Sequence, residues 1–243
     1  ATNGTIKIIE WLKKKDIKIS HCLVGEPTNP NYIGEMIKIG RRGSLNLKIK
    51  IKGKLGHVAY PHLAKNPLPI ISLVCSKISK ISFSKKSKAF PLSNLEITSI
   101  NSNNTATNVI PETAEANLNI RYNPAYKYSD IIDKIDKVCK QVTKNYKIEI
   151  ISSSEPFYTK PEKFIDALIE AIKVTCKKEP VLSTTGGTSD ARFIKNICPV
   201  IEFGALGKTM HQINENISIS DFNKLCKTYE LFIKKYANLF RCQ

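Results

Sequence analysis

The chain has 243 residues, 42% of them hydrophobic, and a formal charge of +17 from 38 Lys and Arg against 21 Asp and Glu. That length admits one large domain or two smaller ones, and no apolar run approaches a membrane-spanning length, which excludes a helical membrane span. The positive charge is almost all lysine, spread evenly and without a basic stripe interleaved with aromatics, so it argues for compositional bias and against a nucleic-acid partner.

In chain order, "TNGTIKIIEWLKKK" opens with cap-type residues and carries Ile6, Ile9 and Leu12 at helical spacing. "HCLVGEP" reads as a short buried strand with Glu26 at its C-terminal end, and "IGEMIKIGRRG" as another strand. "SLNLKIKIKG" alternates strictly, with Leu45, Leu47, Ile49 and Ile51 on one face and Asn46, Lys48, Lys50 and Lys52 on the other, a half-buried strand. "NPLPIISLVCSKIS" follows as a helix with proline in its first turn, and "LEITSI" and "AEANLNIRY" as two strands. "SDIIDKIDKVCKQV" is a capped amphipathic helix with Ile132, Ile135 and Val138–Cys139 on one face, and "YKIEIIS" a last strand. This β-α-β-β-α-β order predicts a ferredoxin-like α+β sandwich over 43–156. A helix ("EKFIDALIEAIKVTC"), a glycine turn ("STTGGTSDARFI"), a strand ("PVIEFG") and a long helix from about Ser220 complete the chain. Residues 1–42 and 157–243 therefore read as one α/β domain interrupted by the insert.

Three stretches could carry chemistry. Glu26 at a strand end and His211 in the loop "GKTMHQINENISI" are candidate metal ligands, but a hydrolytic zinc needs about three protein ligands and an open position, so two residues do not make a site. Each taken alone reads at least as well as a cap or an ordinary loop residue. His57 and His62 in "GKLGHVAYPHL" are kept off a helix by Gly56 and Pro61. A histidine beside glycine can offer its N–H to a substrate oxygen or simply bond to the backbone. "TTGGTSD" can wrap an anion with backbone N–H groups or serve as a tight helix-entry turn; it has neither the P-loop nor the GxSxG spacing. Arginine is scarce, with only Arg41, Arg42, Arg121, Arg192 and Arg241, so each is expected at a place that needs its planar fork. The seven cysteines, Cys22, Cys75, Cys139, Cys176, Cys198, Cys226 and Cys242, stand singly, which predicts free thiols in a reducing, cytoplasmic setting.

Taken together, "ATNGT", "VGEPT", "GRRGSL", "GHVAYPHLAKNP", "NVIP", "TTGGTSDARFI" and "MHQINE", in this order, resemble the succinyl-diaminopimelate desuccinylases of the metallo-aminoacylase/carboxypeptidase superfamily. The resemblance runs along essentially the whole chain. It implies a zinc-peptidase-like α/β catalytic domain, present in part, interrupted by a ferredoxin-like dimerisation domain. It implies two zinc (or cobalt) ions per subunit in the complete enzyme, Glu26 as ligand of one and His211 of the other. His57 would reach across a homodimer interface to polarise the scissile amide carbonyl, and Arg41, Ser44, Tyr60, Asn108, Arg121, Gly187 and Thr188 would contact a carboxylate-rich small substrate. His62 receives no role. Thr107 departs from the family's paired asparagines before "VIP".

In the family a "DEEGP" segment precedes "ATNGT" and supplies the general base and a metal ligand, with a further His and a bridging Asp upstream. The expectation is that this chain corresponds to the C-terminal two-thirds of such an enzyme, is inactive alone, and leaves apolar surface uncovered where the other segment would pack. The competing expectations are a sister N-acyl-amino-acid amidohydrolase and an inactive fragment that keeps only the dimerisation module.

Overall fold

The structure is a computed structural model and describes residues 4–240. The expected cap residues Thr2 and Asn3, like Arg241 and Cys242, lie outside the described residues. The elements are α1 (Gly4–Lys14), β1 (Cys22–Val24), β2 (Met36–Lys38), β3 (Gly40–Arg41), β4 (Gly43–Lys52), β5 (Gly56–His57), a 3-10 turn (Pro61–Leu63), α2 (Pro67–Ile78), β6 (Asn94–Asn101), β7 (Val109–Ile110), β8 (Thr113–Tyr122), α3 (Tyr128–Val142), β9 (Tyr146–Ser154), β10 (Phe157–Tyr158), α4 (Lys163–Cys176), β11 (Val181–Ser183), α5 (Ala191–Ile194), β12 (Val200–Glu202) and α6 (Ile219–Phe240). They fall into two compact units, Ala1–Arg41 with Phe157–Gln243, and Arg42–Pro156. No helix among the described residues is long and apolar enough to cross a membrane.

The second unit is built on a four-stranded antiparallel sheet of order β6-β8-β4-β9, with α2 and α3 packed on one face. Strict alternation along β4 places Leu45, Leu47, Ile49 and Ile51 in the core at 0–1% exposure and turns the lysines outward. Opposite them, β8 buries Ala114, Ala116, Leu118 and Ile120. Asn66 caps α2 by accepting from Leu68 N–H at 3.0 Å, and prolines occupy its first turn, where a missing N–H costs nothing. Helix α3 begins one residue earlier than "SDIID" suggests. Its buried residues are Ile131, Ile135 and Cys139, with Ile132 and Val138 on the flank, because i, i+4, i+8 lies nearest the sheet.

In the first unit β1 and β12 run parallel, β2 and β11 run parallel, and the two halves meet at Glu202 and Lys38 in a sheet of order β1-β12-β2-β11. Its core joins Ile37, Ile39, Ile201 and Phe203 to one face of α4 (Phe164, Ile165, Leu168, Ile172) and to Phe232 of α6. The single strand expected over "IGEMIKIGRRG" is in fact two: β2 lies in this sheet, while β3 pairs antiparallel with the distant β10, Arg41 opposite Phe157 and Gly40 opposite Tyr158. Both pairings are made by only two or three residues and are set by distant partners. Helix α1 has no buried residue.

Candidate active site

The last residues of the four strands of the first unit's main sheet form one row, Val24–Glu202–Lys38–Ser183, in adjacent register. In this row the parallel pair β1–β12 meets the oppositely directed pair β2–β11, and the chain segments that follow these strands line a cavity of about 640 Å³. Glu26, Arg41, Gly187, Thr188 and His211 all line it, together with Lys38, Lys208 and Glu215.

Two buried charges organise the row. Glu202 is fully buried, and Arg41 forks onto it, with Nε donating to Oε2 at 2.9 Å and Oε1 at 3.2 Å and Nη2 also donating to Oε2. Ser189 Oγ donates to the other oxygen of the same carboxylate. Arg41 Nη1 donates to Thr185 O at 3.1 Å, which ties the glycine turn to the pair. Gly186 sits at φ +104°, and an added Cβ would overlap Arg41 Nη1, so the turn can approach the guanidinium only through glycine. Lys38 is 6% exposed, and its ammonium donates to Thr185 Oγ1 at 2.7 Å and Ser183 Oγ at 3.2 Å. Burial first, then the nearby Arg41 charge, pushes its pKa down to about 8. Burial, then Glu202, raises the pKa of Glu26 despite Arg41.

Glu26 lies two residues beyond β1, and His211 stands in a turn at φ 64°, in the left-handed region. One carboxylate and one imidazole on one cavity are donors of the kind zinc takes, but among the described residues no group of three or more His, Cys, Asp or Glu is placed to hold a metal ion. These residues can fill part of a ligand set and not a whole one.

The remaining candidates lie in the second unit, in two groups. Ser44 and Arg121 are direct cross-strand partners on β4 and β8, on the sheet face away from the helices, and Asn94 of β6 continues the row. His57 belongs to the small β5–β7 ladder, opposite Val109, and Val58 N–H donates to Asn108 O at 3.1 Å, which places Asn108 opposite Val58 at the end of the same ladder. His57 is thus in a two-residue strand, where a loop was expected, and His62 is in the 3-10 turn. The Tyr60 ring lies between them, 6.0 Å from His57 and 6.4 Å from His62. Ala59 N–H donates to His57 Nδ1 at 3.1 Å. In the neutral ring this leaves the proton on Nε2, a donor pointing away from its own backbone partner.

Two residues of the site escaped the sequence reading. Glu202 was visible as an acid inside the apolar run "PVIEFG", a position that demands a buried cation. Lys38 was lost among the many lysines, and only its place in "MIKIG", two apolar residues on either side, marked it.

The peptidase dimerisation domain family matches residues 39–147. The succinyl-diaminopimelate desuccinylase of Pelagibacter ubique is 52% identical over 240 residues, covering 97% of this chain and 62% of that protein. That of Ehrlichia chaffeensis is 48% identical over 236 residues, with the same coverages. This chain thus spans 62% of the length of these curated relatives. Among solved structures, an M20 family metallo-carboxypeptidase from Sulfolobus solfataricus shares the fold with a TM-score of 0.75 at 19% identity, over 94% of this chain and 67% of that one. Human carnosine dipeptidase 1 gives 0.74 at 16% identity, over 97% and 64%. The chain shares its fold with M20 metallopeptidases, residues 39–147 match a peptidase dimerisation domain, and along its length the chain is similar to 62% of these succinyl-diaminopimelate desuccinylases.

Proposed function

We propose that this chain serves a metal-dependent amidohydrolase that cleaves N-succinyl-LL-2,6-diaminopimelate to succinate and LL-diaminopimelate, a step towards lysine and peptidoglycan precursors. The observation that carries the reading is the gathering of Glu26, Arg41, Gly187, Thr188 and His211 on one cavity at the strand ends, in a chain whose curated relatives bear that activity as their name. Glu26 and His211 would give one carboxylate and one imidazole to a pair of divalent ions, zinc or cobalt, whose other ligands are not gathered among the described residues. A divalent metal held there supplies a Lewis acid beside the scissile amide. The described residues complete neither ligand set.

The chain's own groups bind and orient. The backbone of Gly187 and Thr188 and the second N–H on each of Arg41 Nη1 and Nη2 offer donors to a substrate carboxylate at the cavity. Ser44, Tyr60, Asn108 and Arg121 offer a second set. His57, with its proton on Nε2, is suited to donate to the amide carbonyl as negative charge develops there. A homodimer formed through the inserted domain would bring His57 to the partner's substrate; the dimerisation-domain match supports this. The six described cysteines are all unpaired, which supports a reducing, cytoplasmic setting.

The test is a chimera that joins this chain to the part of the Pelagibacter ubique relative that it does not span. Metal-dependent release of succinate is expected, falling by about 10²–10³-fold in His57→Ala, as for loss of an oxyanion donor. Glu26→Gln and His211→Ala should lower both bound metal and rate. A metal-loaded chimera that prefers N-acetyl amino acids over the succinyl substrate overturns the reading.

A further inference from the structure

The outward face of the second unit's sheet carries two sets of cations with opposite fates. At one end Lys48 and Lys50 both reach Glu115, at 3.3 and 3.1 Å, and the charge is answered. At the other end Arg42 and Arg121 stand together with no carboxylate on either. Arg42 Nη1 donates to Leu92 O and Asn94 Oδ1, both at 2.8 Å, but its Nε is buried without a partner. Arg121 makes no hydrogen bond or ion pair among the described residues, and its buried Nη1 is likewise unpartnered. Glu96, the acid two positions along β6 from Asn94, is bonded by Asn94 Nδ2 at 3.4 Å and pairs with neither arginine. Burial first, and then the charge of Arg121, lowers the pKa of Arg42, so the two guanidiniums sense each other.

Bringing two cations together and burying an unmet N–H on each is unfavourable twice over, through like-charge repulsion and through desolvation. A carboxylate bound to the accessible N–H groups of both guanidiniums relieves the repulsion, since it accepts from two forks at once. Ser44, the direct cross-strand partner of Arg121, adds a hydroxyl donor on the same face. We propose that Arg42 is a second carboxylate-binding arginine, acting with Arg121 as a clamp that selects an acyl group ending in a carboxylate over a neutral one. The resemblance gives Arg42 no role. The proposal deepens the desuccinylase reading by naming what would distinguish a succinyl from an acetyl group, yet its test does not need catalysis.

The chain has five arginines, so its side-chain Nε–H spectrum by ¹⁵N NMR is small, and the buried Arg42 Nε–H is sheltered from exchange. The full chain is titrated with succinate at fixed ionic strength, with succinamide and chloride as controls, and Arg42→Gln and Arg121→Gln assign the signals. Succinate should shift Arg42 and Arg121 together and saturably, with one shared affinity. Arg42→Gln should weaken succinate binding by about tenfold or more, as for loss of a charged hydrogen bond. Arg42→Lys, which keeps charge without the fork, should fall between. No saturable shift, or the same shift with chloride, overturns the clamp. So does binding lost in Arg121→Gln but intact in Arg42→Gln, which would make Arg42 a strut for Leu92 and Asn94. An inactive chimera with intact succinate binding would sink the desuccinylase reading alone, and an active chimera with unchanged succinate binding in Arg42→Gln would sink the clamp alone.

Discussion

Glu202 and Arg41 show how a single residue pair fixes the candidate site. A carboxylate with no exposure is tolerable only while its cation and its hydroxyl donor remain. Glu202→Gln leaves Arg41 buried against a neutral amide and is expected to cost about 3–5 kcal/mol, read as a lowered urea midpoint. A loss below about 1 kcal/mol would mean that water reaches the pair. Lys38 makes the opposite prediction. Its pKa is about 8 in the fold, against an ordinary value of 10.5, so between those values the unfolded chain holds more protons. The contribution of Lys38 to stability therefore rises with pH across that window, and the cost of its buried charge is fully present below about pH 8. Lys38→Met should be more stable than the parent at pH 7, with the advantage shrinking by pH 10; Ser183 and Thr185 can still bond each other at 2.9 Å. An advantage that does not change with pH would show that the ammonium is solvated. Neither effect is legible from composition, because a lysine-rich chain hides the one lysine that the strand pattern turns inward.

At the level of elements, what was legible is what depends on local period. Strand β4 and helices α2 and α4 follow from alternation, capping and 3.6-residue spacing, and they lie where those signals put them. What escaped is short and held by distant partners: β3 with β10, β5 with β7, and β11. A two-residue strand has no period to read, and its existence depends on which segment the rest of the fold brings alongside. The same holds for the site, since motif resemblance named Glu26, His211 and His57, while the strand-end row that collects the first two appears only with the register. Gly43 tests how tightly β4 is seated. Its cross-strand partner is the fully buried Tyr122, and a Cβ there would stand 2.5 Å from the ring's Cε1. Gly43→Ala should overpack the end of the sheet and cost about 1–3 kcal/mol, measured as a lower thermal midpoint. An unchanged midpoint would show that the Tyr122 ring can slide, despite its hydroxyl bond to Ser154 O at 3.2 Å.

Among the described residues the second unit's core, from Leu45 to Ile148, shares no residue with the first unit's two clusters, one drawn from Leu23–Ile39 and Phe164–Leu239 and a smaller one of Phe157, Ala191 and Val200. The backbone leaves the first unit and returns to it through neighbouring registers. Arg41 pairs with Phe157 on the first unit's side, and Ser44 pairs with Ser154 on the second's. An insertion whose ends are already adjacent adds little loop-closure cost to its host and carries its own core, so it should fold when excised. A fragment of residues 42–156 is expected to show a dispersed NMR spectrum and one cooperative urea transition. By the proposed function it should also sediment as a dimer, since its sheet ends in open edges at β6 and β9. A folded monomer would retire the dimer proposal and leave the domain argument intact. A fragment without cooperative unfolding would mean that the second core needs the first. The first unit is instead assembled from two segments separated by the insert, and both units leave apolar side chains more than half exposed, Ile8, Trp11, Ile213, Ile219 and Ile233 in the first and Leu55, Leu63, Ile150 and Ile151 in the second. Because residues 42–156 are one continuous segment with its own sheet and core, limited proteolysis of the full chain should leave them as the resistant core, and survival of the outer segments instead would reverse the assignment of which unit is self-sufficient.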